Sequence, residues 1–191
     1  MPQPTHLMDL REPSEDTLPD DLKPYFAKCR DKLGFLPNVL RAWLLRPDKL
    51  RTFIAHHDAL MLGPSGLSRL EREMIAVAVS AANACYYCLV VHGAAVRRQS
   101  SDPQLGEMIA FNYRVASLDD RQRAMLDFAV LLTEAPREAS AEDRAGLRDV
   151  GFSDEDIWDI AEVAAFFNYT NRVAHAVDMI PNAEYHAMGR S

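Results

Sequence analysis

The stretch Glu71-Arg-Glu-Met-Ile-Ala-Val-Ala-Val-Ser-Ala-Ala-Asn-Ala-Cys-Tyr-Tyr-Cys-Leu-Val-Val-His92 places a carboxylate, two thiols and an imidazole within alanine- and valine-rich sequence. Read as one continuous helix, it separates Glu73 from His92 by about 28 Å, too far for contact. Read with a reversal near Ala82-Asn83, the two arms measure about 15 and 14 Å, and an antiparallel hairpin brings Glu73 level with His92. A helical hairpin is therefore the expected unit. On its second arm Cys85 and Cys88 are three residues apart, and Cys88 and His92 four apart, so all three side chains share one helix face.

Outward from this hairpin, apolar residues recur at helical spacing along most of the chain, and period-two alternation is nearly absent, so the class is all-α. Helices are expected over about 20–33, 37–45, 47–62, 68–82, 84–98, 102–115, 119–134, 140–149, 153–166 and 168–179. Ser68-Arg-Leu-Glu71 and Ser140-Ala-Glu-Asp143 read as helix caps, and Gly63-Pro-Ser-Gly66 and Ala135-Pro136 as breaks. Residues 1–24 carry Pro2, Pro4, Pro13, Pro19 and Pro24 among acidic residues, which predicts an extended arm preceding a single domain over 25–191. A shift of 83 residues lays Glu73, Cys85, Cys88 and His92 on Asp156, Asn168, Asn171 and His175. The chain thus reads as two degenerate helical-hairpin repeats, about 68–98 and 151–181.

The 191 residues are 48% hydrophobic, enough for a substantial core, and the net charge of −7 comes without any long basic run. Nucleic acid is not an expected partner. The N-terminus lacks the basic flank and apolar core of a signal peptide, and no apolar run is long enough to span a bilayer, so a cytoplasmic protein without membrane contact is expected. Ten amphipathic helices and an unanchored arm leave apolar surface that predicts a homo-oligomer.

Three cysteines do not make a disulfide scaffold, and a close pair in a reducing compartment points to catalysis or metal binding. A Cys-x-x-Cys at a helix start is where backbone amides and the helix dipole favour the reactive thiolate, and Asn83 is a plausible cap for that start. Cys88, one turn from His92, is expected to be more acidic than a free thiol. Glu73 against His92 would orient the imidazole. Cys85, Cys88 and His92 could begin a zinc site, but structural zinc usually takes four ligands and only Cys29 and scattered histidines could complete the set, so no metal is expected. Cys29, Trp43, Trp158, Phe166 and Phe167 read as packing residues, His56-His57 as an exposed helix face, and His175 as a structural hydrogen-bond partner of Asp156 or a neighbour. Tyr86 and Tyr87 flank the thiols and could line a substrate entrance.

The pattern Glu73, eleven residues, Cys85, two residues, Cys88, three residues, His92 resembles the active site of the AhpD-like alkylhydroperoxidases of the carboxymuconolactone decarboxylase superfamily. Gly34-Phe-Leu-Pro-Asn-Val39 and Ala164-Ala-Phe-Phe-Asn-Tyr-Thr-Asn-Arg-Val173 resemble its peroxidase-related branch. Tyr87 stands where the well-described members often carry a histidine. The resemblance implies an AhpD-like helical fold, an oligomer, and hydroperoxide reduction through a Cys85–Cys88 disulfide. It makes Cys88 the thiol that attacks peroxide after His92 takes its proton, Cys85 the resolving thiol, and Glu73 the far end of the relay. No bound cofactor is implied; the partners would be a small hydroperoxide and a reducing dithiol. Two other readings stay open: a thiol–disulfide oxidoreductase or lactone-acting relative, and a redox sensor without turnover.

Overall fold

The computed structural model describes residues 3–190; Met1 and Pro2 of the expected arm and Ser191 of the expected domain lie outside the described residues. The described residues form nine α-helices and no strand: α1 Lys23–Leu33, α2 Asn38–Trp43, α3 Pro47–Leu62, α4 Arg69–Ala82, α5 Tyr86–Ser100, α6 Leu105–Asn112, α7 Asp120–Glu134, α8 Ala141–Asp149 and α9 Asp154–Ala176. The all-α class expected from the hydrophobic period is the class observed.

Helix boundaries follow local chemistry. Ser68 opens α4 as a capping box, its hydroxyl accepting from the Glu71 amide while the Glu71 carboxylate accepts from the Ser68 amide. Ser140 and Asp143 do the same for α8, and Asp119 with Gln122 and Ser153 with Asp156 repeat the device at α7 and α9. The Gly63–Gly66 break separates α3 from α4, where the buried Arg72 guanidinium donates to the carbonyls of Leu60, Gly63 and Leu67. Those bonds satisfy carbonyls on both sides of the break.

The run from Met74 to Ser80 is buried without interruption, so α4 presents apolar side chains on every side. It sits at the centre, packed against α5, α6, α7 and α9. Ile75, Val77, Met125, Leu126, Ile160 and Phe167 belong to the main core around it. The helices α5 and α6 approach closely at two glycines, since a Cβ on Gly106 would lie 2.8 Å from the Gly93 carbonyl oxygen.

Two expectations change. The segments expected as 153–166 and 168–179 form one uninterrupted helix, α9, so the second segment is not a hairpin. The residues that align with Asn83 and Ala84 are Phe166 and Phe167, both buried in the core, and neither supplies the cap or the left-handed backbone that a reversal needs. Asp156 therefore caps its own helix, nineteen residues (175 − 156) from His175 along a straight rod. The N-terminal arm, in turn, lies on its own chain. The Asp9 amide donates to Val177 at 2.8 Å and the Ile180 amide to Leu7 at 3.1 Å, and Leu7 and Met8 are buried in the same small apolar cluster as Cys85 and Cys88.

Candidate active site

The reversal between α4 and α5 is built by two bonds at the end of α4. The Ala84 amide donates to Ala81 at 3.0 Å and the Cys85 amide to Ser80 at 2.9 Å, the paired pattern that closes a helix through a left-handed residue. That residue is Ala84, at φ 53°. Cys85 then becomes the N-cap of α5, and Cys88 falls in its first turn. Asn83 ends α4 and does not cap α5. Its side-chain amide donates instead to Asn168 and Asn171 of α9, each at 3.0 Å.

The hairpin brings its far ends together as the arm lengths require: His92 Nδ1 lies 2.7 Å from Glu73 Oε2. Both side chains are mostly shielded, and the imidazole edge packs on Phe167 with ring centroids 4.5 Å apart. With Nδ1–H donating to the carboxylate, Nε2 is the end of the ring left for exchange. Among the described residues, Glu73 is the only hydrogen-bond partner of His92, so no direct bond joins it to Cys88.

Both thiols are free and buried, Cys85 at 1% and Cys88 at 4% exposure. Two polar residues that were not expected in the site reach them: Ser80 of α4, beside Cys88, which sequence reasoning passed over, and the fully buried Asn171 of α9, beside both sulfurs, noted only as a repeat match. Asn171 donates to Ser80 Oγ at 3.1 Å, and His175 meets the Asn83 carbonyl at 2.9 Å. The 83-residue shift that aligned Asn168 and Asn171 with the cysteines was their signal. It marked the wall facing the thiols, which only the packing of α9 against α4 could reveal.

The two thiols share their protons unequally. The Cys88 thiol, donating toward Cys85, pulls Cys85 down to about 7 against the cost of burial, with His175 and Asn171 assisting. The same contact and burial push Cys88 up. The contact thus lowers Cys85 and raises Cys88, whereas Cys88 was expected to be more acidic than a free thiol. Burial, and then the Asp58 charge, push Cys29 up.

Cys88, His92 and Glu73 open on one cavity of about 380 Å³, lined mainly by apolar and aromatic side chains that include Trp43, Phe53 and Phe166. Cys85 is not part of that lining; it lies behind Cys88.

The carboxymuconolactone decarboxylase family pattern matches residues 47–112. An uncharacterized peroxidase-related protein from Silicibacter sp. TM1040, of known crystal structure, is 57% identical over 100% of this chain and 100% of its own, with a TM-score of 0.95. Another from Ralstonia eutropha JMP134, described as an alkylhydroperoxidase AhpD core, is 46% identical over 98% of this chain and 99% of its own, also at 0.95. This chain belongs to the AhpD-like, peroxidase-related branch of the carboxymuconolactone decarboxylase family. The debrominase Bmp8, at 22% identity over 97% of this chain and 96% of its own with a TM-score of 0.78, shares the fold. No curated protein matches the chain significantly.

Around the AhpD-like centre, the remaining sequence candidates divide. Tyr87 is buried, lines the cavity, and accepts a hydrogen bond from the Val39 amide at 3.0 Å. Tyr86 faces outward beside His186 and does not line it. Cys29 is half-buried on the cavity wall. His56 is exposed, as its helix face predicted, whereas His57 is half-buried and bonded to Asp58 at 3.0 Å. Phe166 and Phe167 join the core, while Trp158 is 67% exposed. Among the described residues, no three His, Cys, Asp or Glu side chains gather as a metal site requires.

Proposed function

We propose that this AhpD-like chain is a hydroperoxide reductase that uses Cys88 as the attacking sulfur and Cys85 as the resolving one. The supporting observation is the shared cavity: Cys88 and the His92–Glu73 pair open on it, and Cys85 is shielded behind. In the resting pair Cys85 holds the charge and Cys88 the proton. As Cys88 sulfur attacks the distal peroxide oxygen, its proton passes to Cys85, the S–O bond forms and the O–O bond breaks. The leaving alkoxide takes the Nε2 proton of the His92 imidazolium, whose positive form the Glu73 carboxylate at Nδ1 supports, and the ring returns to neutral. Cys85 then attacks the Cys88 sulfenic acid and releases water, giving a Cys85–Cys88 disulfide that an external dithiol reduces to restart the cycle.

The cavity geometry makes this role for His92 more direct than removal of the Cys88 proton, because Cys85 is the neighbour in contact with that thiol. Steady-state consumption of a dithiol with cumene hydroperoxide is the test. Cys88→Ser should abolish it, and Cys85→Ser, which also removes the proton acceptor, should react more slowly and stop after one equivalent of peroxide, leaving a sulfenic acid on Cys88. Full turnover by Cys88→Ser would overturn the assignment.

A further inference from the structure

The cavity has a second polar end that the peroxide step does not use. On α3, His57 Nδ1 lies 3.0 Å from Asp58 Oδ1, and Tyr25 of α1 donates to the same oxygen at 3.0 Å. Chiefly the His57 bond holds the Asp58 carboxyl below its usual range, and the Lys28 charge adds to it. Both carboxylates facing the cavity are thus committed, Glu73 to His92 and Asp58 to His57 and Tyr25. Lys28, Lys32 and Arg98 line the same cavity, and none enters an ion pair among the described residues. Lys28 and Lys32 stand one turn apart on α1, on the face that carries Tyr25 and Cys29.

A chain of net charge −7 therefore lines an apolar cavity with three cations outside any ion pair among the described residues, Lys28 acting on Asp58 only as a nearby charge. The wall of the same cavity is aromatic: Trp43 stacks on Phe53 at 4.7 Å, and Phe53 on Phe166 at 5.7 Å. Such a surface packs a flat or branched hydrocarbon body and leaves its charged tip at the rim.

We propose that the cavity binds an apolar carboxylate, its anionic group at Lys28 and Lys32 and its hydrocarbon body against Trp43 and Phe53. Cys88 lines the same cavity. Taken with the proposed function, on which the reacting end rests, the substrate class is the hydroperoxide of an apolar carboxylic acid. The lysines are exposed, so the contribution is a modest one that salt screens.

Trp43 reports on the cavity directly, and its fluorescence can be titrated with 4-isopropylbenzoate and with the neutral isostere 4-isopropylbenzamide at low salt. The acid should bind about fivefold more tightly, the size that one or two exposed ion pairs give. That preference should fall to about one in the Lys28→Gln, Lys32→Gln double variant, and in the wild type at high salt. Equal or tighter binding of the amide, no binding of the acid, or a preference that survives both substitutions would overturn the proposal. Neither compound is a peroxide, so a failure of cumene hydroperoxide turnover would sink the reductase reading alone.

Discussion

Glu73 and Glu71 lie two residues apart on α4 and do different work, which makes them a matched pair of tests. Glu73 holds His92, whereas Glu71 closes the capping box with Ser68 and faces Arg121 at 3.7 Å. Glu73→Gln keeps the shape but weakens the partner of the imidazole, and a loss of about a hundredfold in kcat/KM for a hydroperoxide, near 2.7 kcal/mol, is expected. Glu71→Gln still supports a capping box and should leave kcat/KM within about twofold. Near-wild-type rates in both variants would remove the relay from the mechanism. The thiols supply a second test through pH. Because Cys85 is drawn down to about 7, the pair is fully protonated well below that pH and gains its charge as pH rises through it. In a Cys29→Ser background the thiolate ultraviolet absorbance should rise with a midpoint near pH 7, and the rate of peroxide reduction should fall with it on acidification. A midpoint above that of a free thiol, about 8.5, would contradict the shared-proton arrangement.

At the scale of the element, the α4–α5 hairpin depends on one residue that fits its backbone poorly. Ala84 takes the left-handed conformation at φ 53°, where a Cβ costs roughly 1–2 kcal/mol. Glycine removes that strain at the expense of a more flexible unfolded chain, so Ala84→Gly should stabilise by about 0.5–1 kcal/mol. The urea midpoint should rise without a change in slope. Ala84→Val should instead destabilise and displace Cys85 from the start of α5, which would appear as a loss of the low thiol titration. A lower midpoint for the glycine variant would mean that the reversal is held by more than its two terminal bonds. The contrast with α9 follows from the same physics: where α4 ends in Asn83 and Ala84, α9 continues through Phe166 and Phe167, whose burial holds the helix straight.

Over the whole molecule, the surface keeps large apolar groups in water: Phe111 is 90% exposed, Trp158 67% and Val115 62%. A stable monomer seldom leaves such groups bare, so association into a homo-oligomer is expected. Light scattering at micromolar concentration should give a mass that is a multiple of 21.5 kDa, and a 21.5 kDa particle would refute it. No described helix is long and apolar enough to cross a membrane. The arm that the prolines marked as extended folds back over the cysteine cluster of its own chain, with Leu7 and Met8 helping to bury the pair.

The amino-acid sequence by itself determined the class, most helix boundaries and the Glu73–His92 contact. Those rest on local quantities: the period of apolar residues, caps within four positions, and two arms of equal length about one reversal. Cys88 and His92 were legible for the same reason, because they lie one turn apart on α5, whereas Cys85 is the N-cap of that helix and lies outside the cavity lining. Only the tertiary structure shows that the two thiols are shifted in opposite directions, since that depends on burial and on Ser80, Asn171 and His175, brought together by the packing of α4 and α5 against α9. The continuity of α9 was likewise hidden: alanine-rich repetition looks alike whether a helix turns or runs on, and the buried Phe166 and Phe167 settle it through contacts with residues distant in the chain. The cavity that holds His57 and Cys88 draws on α1, α2, α3, α4, α5 and α9 together, and no local pattern encodes a space that six separate helices enclose.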